Sequence, residues 1–490
     1  MLFNSLEFLI FFPVVTLLYF AIPHKVRYIW LLVASYFFYM CWNPKYALLM
    51  AFSTLSTYAA GVLIDKSSKT LHKKLWVALS FTINIAILFF FKYFDFAIDN
   101  LNAVLSLGGF ELVNPAFDVI LPVGISFYTF QALGYTVDVY RKDIKAEKNV
   151  LRYALFVSFF PQLVAGPIER SGNLIKQLRE RHYFNTKRVA NGMMLMLWGF
   201  FEKLVIADRA AYVVDTVYNN YTQHTGLTLA LATVLFAFQI YCDFASYSDI
   251  ARGAAQVMGF DLMKNFETPY FAKSVSEFWR RWHISLSTWF RDYLYIPLGG
   301  NRRGRARKYF NLFVVFLLSG LWHGASWNYV IWGALNGFYQ IVGDMTKGIR
   351  RKISNKLQLD REVFSNKLMK VIVTFVLINF SWIFFRAESF TAAMTIVKNM
   401  FSEFNLWILT DGTLFTLGLD AKDMFVLLLS LAVLLIVSIM KYKGVMIRDT
   451  LAKQGIWFRY LVYLAGIFAV LIFGIYGPTY DASQFIYFQF

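Results

Sequence analysis

The stretch that decides the fold is YFNLFVVFLLSGLWHGASWNYVIWGALNGFYQIVG, residues 309–343. It is strongly apolar and about twice the length of a modest membrane span, which needs about 17–25 residues. Basic sequence flanks both ends, NRRGRARK at 301–308 and KGIRRK at 347–352. Flanks of one sign put both ends on the same side of a bilayer, so the segment is expected to enter and return. Its middle, SGLWHGASWN (319–328), is rich in small residues and interrupted by glycine. Broken backbone at membrane depth is tolerated only where protein surrounds it or it lines a cavity.

The rest of the chain supports a membrane as its solvent. Of 490 residues, 58% are hydrophobic and 16% charged, where a soluble domain has about 45–50% and about 25%. Mean hydropathy is +0.50. Ten spans are expected, roughly at 6–23, 27–43, 46–64, 75–97, 118–137, 189–207, 226–246, 371–388, 424–440 and 458–476. The formal charge of +18 is concentrated in short loops such as DKSSKTLHKK (65–74) and RKDIKAEK (141–148). That pattern fits the positive-inside rule and argues against nucleic acid as a partner. Segments 98–118 and 402–423 are poor in Lys and Arg and should face outside; both termini fall on that side as well. The N-terminus lacks the basic leader and cleavage site of a signal peptide and reads as a retained span. Cys41 and Cys242 show no metal spacing and read as buried free thiols.

Two further segments do not read as crossings. LRYALFVSFFPQLVA (151–165) is short, with basic sequence on both sides, and should dip into the membrane or lie along its interface. In 247–308, Ser274-Val-Ser-Glu277 fits a capping box. The helix that follows carries Phe278, Trp282, Leu286 and Trp289 at spacings of three and four, as a helix lying in the interface plane would.

Common soluble-enzyme motifs are absent: no G-x-S-x-G, H-E-x-x-H, Walker loop or G-x-G-x-x-G occurs. Four of six histidines, His24, His72, His182 and His224, read as solvated loop residues. His323 lies mid-way in the 309–343 segment, and an ionisable residue at that depth is a functional candidate by default. An imidazole kept from water retains a ring nitrogen able to accept a proton, which general-base catalysis needs. A structural histidine bonding a neighbouring helix is the competing reading. Gly324, Ala325 and Ser326 leave room for a substrate, and Trp322, Trp327 and Asn328 could shape its pocket. His283, in WRRWHIS (279–285), is the second candidate. The basic run containing Arg302 and Arg303 reads as a topogenic cluster, an anionic-lipid contact or a phosphate site. Asp243 and Asp249 are expected to pair with nearby arginines. No metal site is expected.

FFPQLVAGPIER (159–170), YCDFASYSDIARG (241–253), FWRRWHISLSTWFRDYLYIPLGGNRRG (278–304), SGLWHGASWNYVIWGALNG (319–337) and the tail FIYFQF (485–490) together resemble the membrane-bound O-acyltransferase superfamily, in its bacterial alginate O-acetylation branch. The resemblance implies one all-α membrane domain over 1–490. Its parts would be N-terminal spans (1–137), a cytoplasmic or re-entrant segment (138–188), a catalytic core (189–343) and C-terminal spans (344–490). It implies a ring of tilted helices around a central tunnel, set in the bacterial cytoplasmic membrane. It maps the essential histidine to His323 and the second polar position to His283. The implied donor is acetyl-CoA or an acyl-carrier thioester, used as substrate with no tightly bound cofactor; Arg302 and Arg303 could hold its phosphates. The acceptor would be a cell-surface polysaccharide, reached through a separate extracytoplasmic acetyltransferase. D-alanyl transfer to teichoic acid is the alternative enzyme reading, and a polysaccharide-precursor transporter or flippase the alternative of another class.

Overall fold

In a computed structural model the described residues are 1–114, 121–358, 360, 363–476 and 485–486. The start of the expected fifth span and most of the C-terminal tail lie outside them. Among the described residues every regular element is a helix.

The chain forms two compact units, one built mainly from Met1–Met196 and Ile250–Met263, the other from Leu197–Asp249 and Lys264–Asp481. The first holds α1 (Leu6–Ala21), α2 (His24–Met40), α3 (Pro44–Lys66), α4 (Thr70–Leu107), α5 (Ile125–Arg141), α6 (Val150–Ser158) and α7 (Ser171–Arg179). Local chemistry sets several starts. Ser5 accepts from the Phe8 N–H at the head of α1, and Asn43 caps α3 with Pro44 in its first turn. α8 (Thr186–Phe200) runs through a π-helical turn, Phe201–Ala207, into α9 (Asp208–Asn219); α10 is Gly226–Met258. Within the first unit α8 and α10 touch backbone to backbone, since a Cβ on Gly192 would sit 2.7 Å from the Gly253 carbonyl oxygen. Such close approach is how helices associate where lipid offers no hydrophobic drive.

The second unit continues with α11 (Val275–Arg281), α12 (Ile284–Phe290), α13 (Gly304–His323), α14 (Trp327–Met345), α15 (Lys347–Lys356) and α16 (Phe364–Arg386). α17 (Phe390–Met400), α18 (Ala421–Tyr442), α19 (Ile447–Ala452) and α20 (Ile456–Phe473) complete it.

Seven of the ten expected spans coincide with helices both long and apolar enough to cross a membrane. At the first, second and fifth positions the helices are 16, 17 and 17 residues long. α4 has 38 residues, about 57 Å at 1.5 Å per residue, and so runs well past its expected end at 97. Segment 151–165 is helical only to Ser158, and the chain stays buried from Leu155 through Glu169. That satisfies the rule that irregular backbone be enclosed by protein.

The 309–343 segment is two helices joined at Gly324–Ser326. Added Cβ atoms place Gly320 against Tyr329, Gly333 against Phe316 and Gly337 against Phe313 and Phe316. Each step up one helix is a step down the other, so α13 and α14 are antiparallel and in glycine-mediated contact.

Four expectations are corrected. The 275–290 helix is not continuous but breaks at Trp282–His283, and Phe278, Trp282, Leu286 and Trp289 are all buried in protein rather than laid on an interface. Asp243 pairs with Lys203, at 2.6 Å, a lysine where an arginine was expected. Lys203 sits on the π-helical turn and also meets Asp208 at 2.8 Å, because a buried cation must be paired. Cys41, in the turn after α2, is exposed, while Cys242 is buried. His24 and His182 are half-buried and bond the carbonyls of Glu180 and Gln177, so neither is simply solvated.

Candidate active site

His323 is the last residue of α13 and only 3% exposed. The turn after it is held by two features of its own sequence. A Cβ on Gly324 would meet the Tyr329 ring at 2.1 Å, so a larger residue there requires that ring to move. Ser326 caps α14, its Oγ accepting from the Asn328 N–H at 3.2 Å. The imidazole is therefore delivered by a helix end whose direction is fixed on both sides.

Aromatic rings enclose it. Ring centres of Trp322 and Trp332 lie 5.0 Å away and that of Phe385, on α16, lies 5.5 Å away. Trp332 stacks on Trp382 at 5.7 Å, and Trp279 donates from its indole N–H to Asn336 Oδ1 at 3.1 Å. Asn336 donates in turn to the Trp332 carbonyl, so the box is locked by hydrogen bonds as well as packing.

His283 approaches from the break between α11 and α12. Its ring centre is 6.3 Å from that of His323 and 5.8 Å from that of Trp322, and Phe244 of α10 packs on it at 4.6 Å. Its φ of +45° is left-handed, a conformation that costs a non-glycine residue about 1–3 kcal/mol. Neighbouring hydrogen bonds hold it there. The Ile284 N–H donates to the Asn265 carbonyl, the Ser285 hydroxyl donates to Asn265 Oδ1 at 2.6 Å, and Asn265 Nδ2 donates to Ser248 at 2.9 Å. Full burial pushes the His283 imidazole down to a pKa of about 3, so it is neutral at physiological pH.

The structure thus brings His283, His323 and Trp322 together. Asn328 is buried but its amide donates to the Ala387 carbonyl at 2.7 Å, a tie between α14 and the end of α16. Trp327 is 56% exposed. Arg302 and Arg303 are exposed just before α13, about 29 Å along the helix from His323. Sequence reasoning missed Trp332, Phe385, Phe244 and Asn265. Trp332 had a signal: Asn328, Trp332 and Asn336 recur every four residues on one buried face of α14. Phe385 and Phe244 had none, being ordinary apolar residues of other helices.

The box has elements that acyl transfer to oxygen needs: two buried imidazoles and buried indole N–H groups. Comparison with known proteins decides the family. Residues 144–385 match the model of the "MBOAT, membrane-bound O-acyltransferase family". "Probable alginate O-acetylase AlgI" of Pseudomonas putida is 39% identical over 435 residues, covering 88% of this chain and 87% of that protein. The chain belongs to the membrane-bound O-acyltransferase family. It is therefore a multi-pass membrane O-acyltransferase. "Peptidoglycan O-acetyltransferase" of Helicobacter pylori is 35% identical over 432 residues, 82% of this chain and 80% of that one. "Teichoic acid D-alanyltransferase" of Bacillus subtilis is 25% identical over 296 residues, 56% of this chain and 71% of that one. The matched region of the family model contains both His283 and His323.

Proposed function

We propose that this O-acyltransferase moves an acetyl group from a cytosolic thioester, acetyl-CoA or an acyl-carrier thioester, to a cell-surface polysaccharide. The observation that carries the reading is the placement of His323 at a glycine-fixed helix end, enclosed with His283 in an aromatic box. His323 is the general base. It takes the proton of an acceptor hydroxyl as that oxygen bonds to the thioester carbon. The C–S bond then breaks, and the leaving thiolate recovers the proton from His323. Between these events the former carbonyl oxygen carries negative charge and needs a positioned donor. The Trp332 indole N–H is buried and has no acceptor among the described residues, which suits that task. His283 stays neutral and bonds the reacting group from the other side.

Two relatives whose names specify O-acetylation of alginate or peptidoglycan match most of the chain, which favours acetyl and a polysaccharide. The teichoic acid D-alanyltransferase likeness covers only 56% of it. The loop charges support an orientation with both termini outside; the bacterial cytoplasmic membrane and a separate extracytoplasmic acetyltransferase that receives the acetyl group complete the proposal and rest on the family resemblance. The test is His323→Ala with surface O-acetyl content as readout. Loss of ester with unchanged membrane abundance is expected; wild-type ester content would remove His323 from the reaction. Mass analysis of the polymer separates acetyl from D-alanyl.

A further inference from the structure

The first unit holds a cavity that the acyl-transfer reading does not use. Beside the short junction between α1 and α2, a cavity of ≈ 290 Å³ opens. Its walls include Tyr19, Lys25, Arg27, Tyr28, Arg152 and Arg179, with Glu180 at one edge. The arginines are held in place. Arg27 donates to the carbonyls of Phe20, Ile22 and His182 and lies 5.0 Å over the Tyr19 ring. Carbonyls orient the guanidinium without cancelling its charge. Arg152 lies 5.2 Å over Tyr28, and it shares the one buried carboxylate of Glu147 with Arg179. Four cations thus face two carboxylates, Glu147 and Glu180, and the cavity keeps a surplus of two positive charges.

Its depth in the membrane follows from the helices that form it. α1 ends at Ala21 and α2 begins at His24. Exposed apolar side chains, Leu17 and Leu18 on α1 and Val26 and Ile29 on α2, begin within about one turn of the cavity. A fixed cluster of arginines where lipid-facing surface stops is at the level of lipid headgroups. Basic pockets between membrane helices bind anionic headgroups, and guanidinium forks match phosphate oxygens. The volume is at the small end of ligand pockets, which run about 300–1,000 Å³, so it suits a headgroup better than a whole nucleotide.

We propose that this cavity binds a phosphate-bearing anion, supplied by the headgroup of an anionic phospholipid. The test uses the purified full-length protein and native mass spectrometry. Short-chain phosphatidylglycerol and phosphatidylcholine are the lipid probes; inorganic phosphate and coenzyme A are the soluble competitors. Phosphatidylglycerol is expected to be retained over phosphatidylcholine. Arg179→Gln removes one charge and should weaken retention about fivefold, and Lys25→Glu, which reverses one, about thirtyfold. Lys25 is exposed on the rim, so Lys25→Glu should unfold at the wild-type temperature. Failure of the soluble competitors to displace the lipid identifies the headgroup as the source. Displacement by coenzyme A keeps the phosphate site and moves its source to the donor. Equal retention of the two lipids by the wild type, or wild-type retention in Lys25→Glu and Arg179→Gln, overturns the proposal.

Discussion

Replacing Gly320 with alanine should disable the enzyme without touching any group in the box. Gly320 is one helical turn before His323, on the face of α13 against α14. A Cβ there would stand 2.1 Å from the Tyr329 carbonyl oxygen, 3.0 Å from its carbon and 3.3 Å from Gly333 Cα. All three are backbone atoms, so no rotamer change relieves them. Contact would be tolerable near 3.2 Å, so the helices must part by about 1 Å. His323 and Trp322 ride on one helix and Trp332 on the other, so the box opens by the same amount. A misplacement of about 1 Å at a reacting pair costs on the order of 100-fold in rate, or about 2.7 kcal/mol of transition-state free energy. Overpacking also costs about 1–3 kcal/mol of stability, so a thermal unfolding measurement should accompany the rate. The assay is O-acetyl content of the extracted polysaccharide per unit of enzyme in the membrane. Gly343→Ala is the control, because nothing lies within 4 Å of a Cβ there and wild-type acetylation is expected. A folded Gly320→Ala protein that acetylates at the wild-type rate would refute the claim that α13–α14 contact positions His323.

Trp332→Phe keeps an aromatic ring, smaller than the indole, and removes the N–H; kcat should fall about 10²–10³-fold with little change in KM, as for loss of one oxyanion donor, and an unchanged kcat would exclude the indole from that role. Asn265→Ala removes the acceptor of Ser285 and the donor to Ser248; a stability loss of about 2 kcal/mol is expected from thermal unfolding, with a larger drop in activity as the left-handed His283 relaxes. The depressed pKa of His283 predicts a pH dependence of stability. In the unfolded chain it titrates near 6.5 and in the folded one near 3, so below about pH 6.5 the unfolded state binds more protons and stability falls as pH falls. By pH 5 the loss is about 2 kcal/mol, and His283→Gln should flatten that part of the profile. An unchanged profile would place His283 in contact with water.

The membrane fold was legible because composition and loop charge are properties of the chain alone. Neither needs a partner helix to be read, and a hydrophobic run of spanning length has few alternatives to crossing. The entry and return of 309–343 followed from its length and its two basic flanks, and His323 stood out because an ionisable group is costly at that depth. What the chain alone could not decide was convergence. The helix at 275–290 looked continuous because its apolar spacing is helical on both sides of the break. Asn265, about twenty residues upstream, bonds Ile284 and Ser285 and so helps hold the left-handed turn at His283. Phe385 reaches His323 from about sixty residues downstream, and Phe244 reaches His283 from about forty upstream; both are ordinary apolar side chains in their own helices. Arg302 and Arg303 looked close to His323 by sequence, but α13 carries them a helix length away. Sequence determined the solvent, the span pattern and the residue that stands out of place. Tertiary structure alone decided which rings surround that residue, because packing depends on distances between helices that no local pattern encodes.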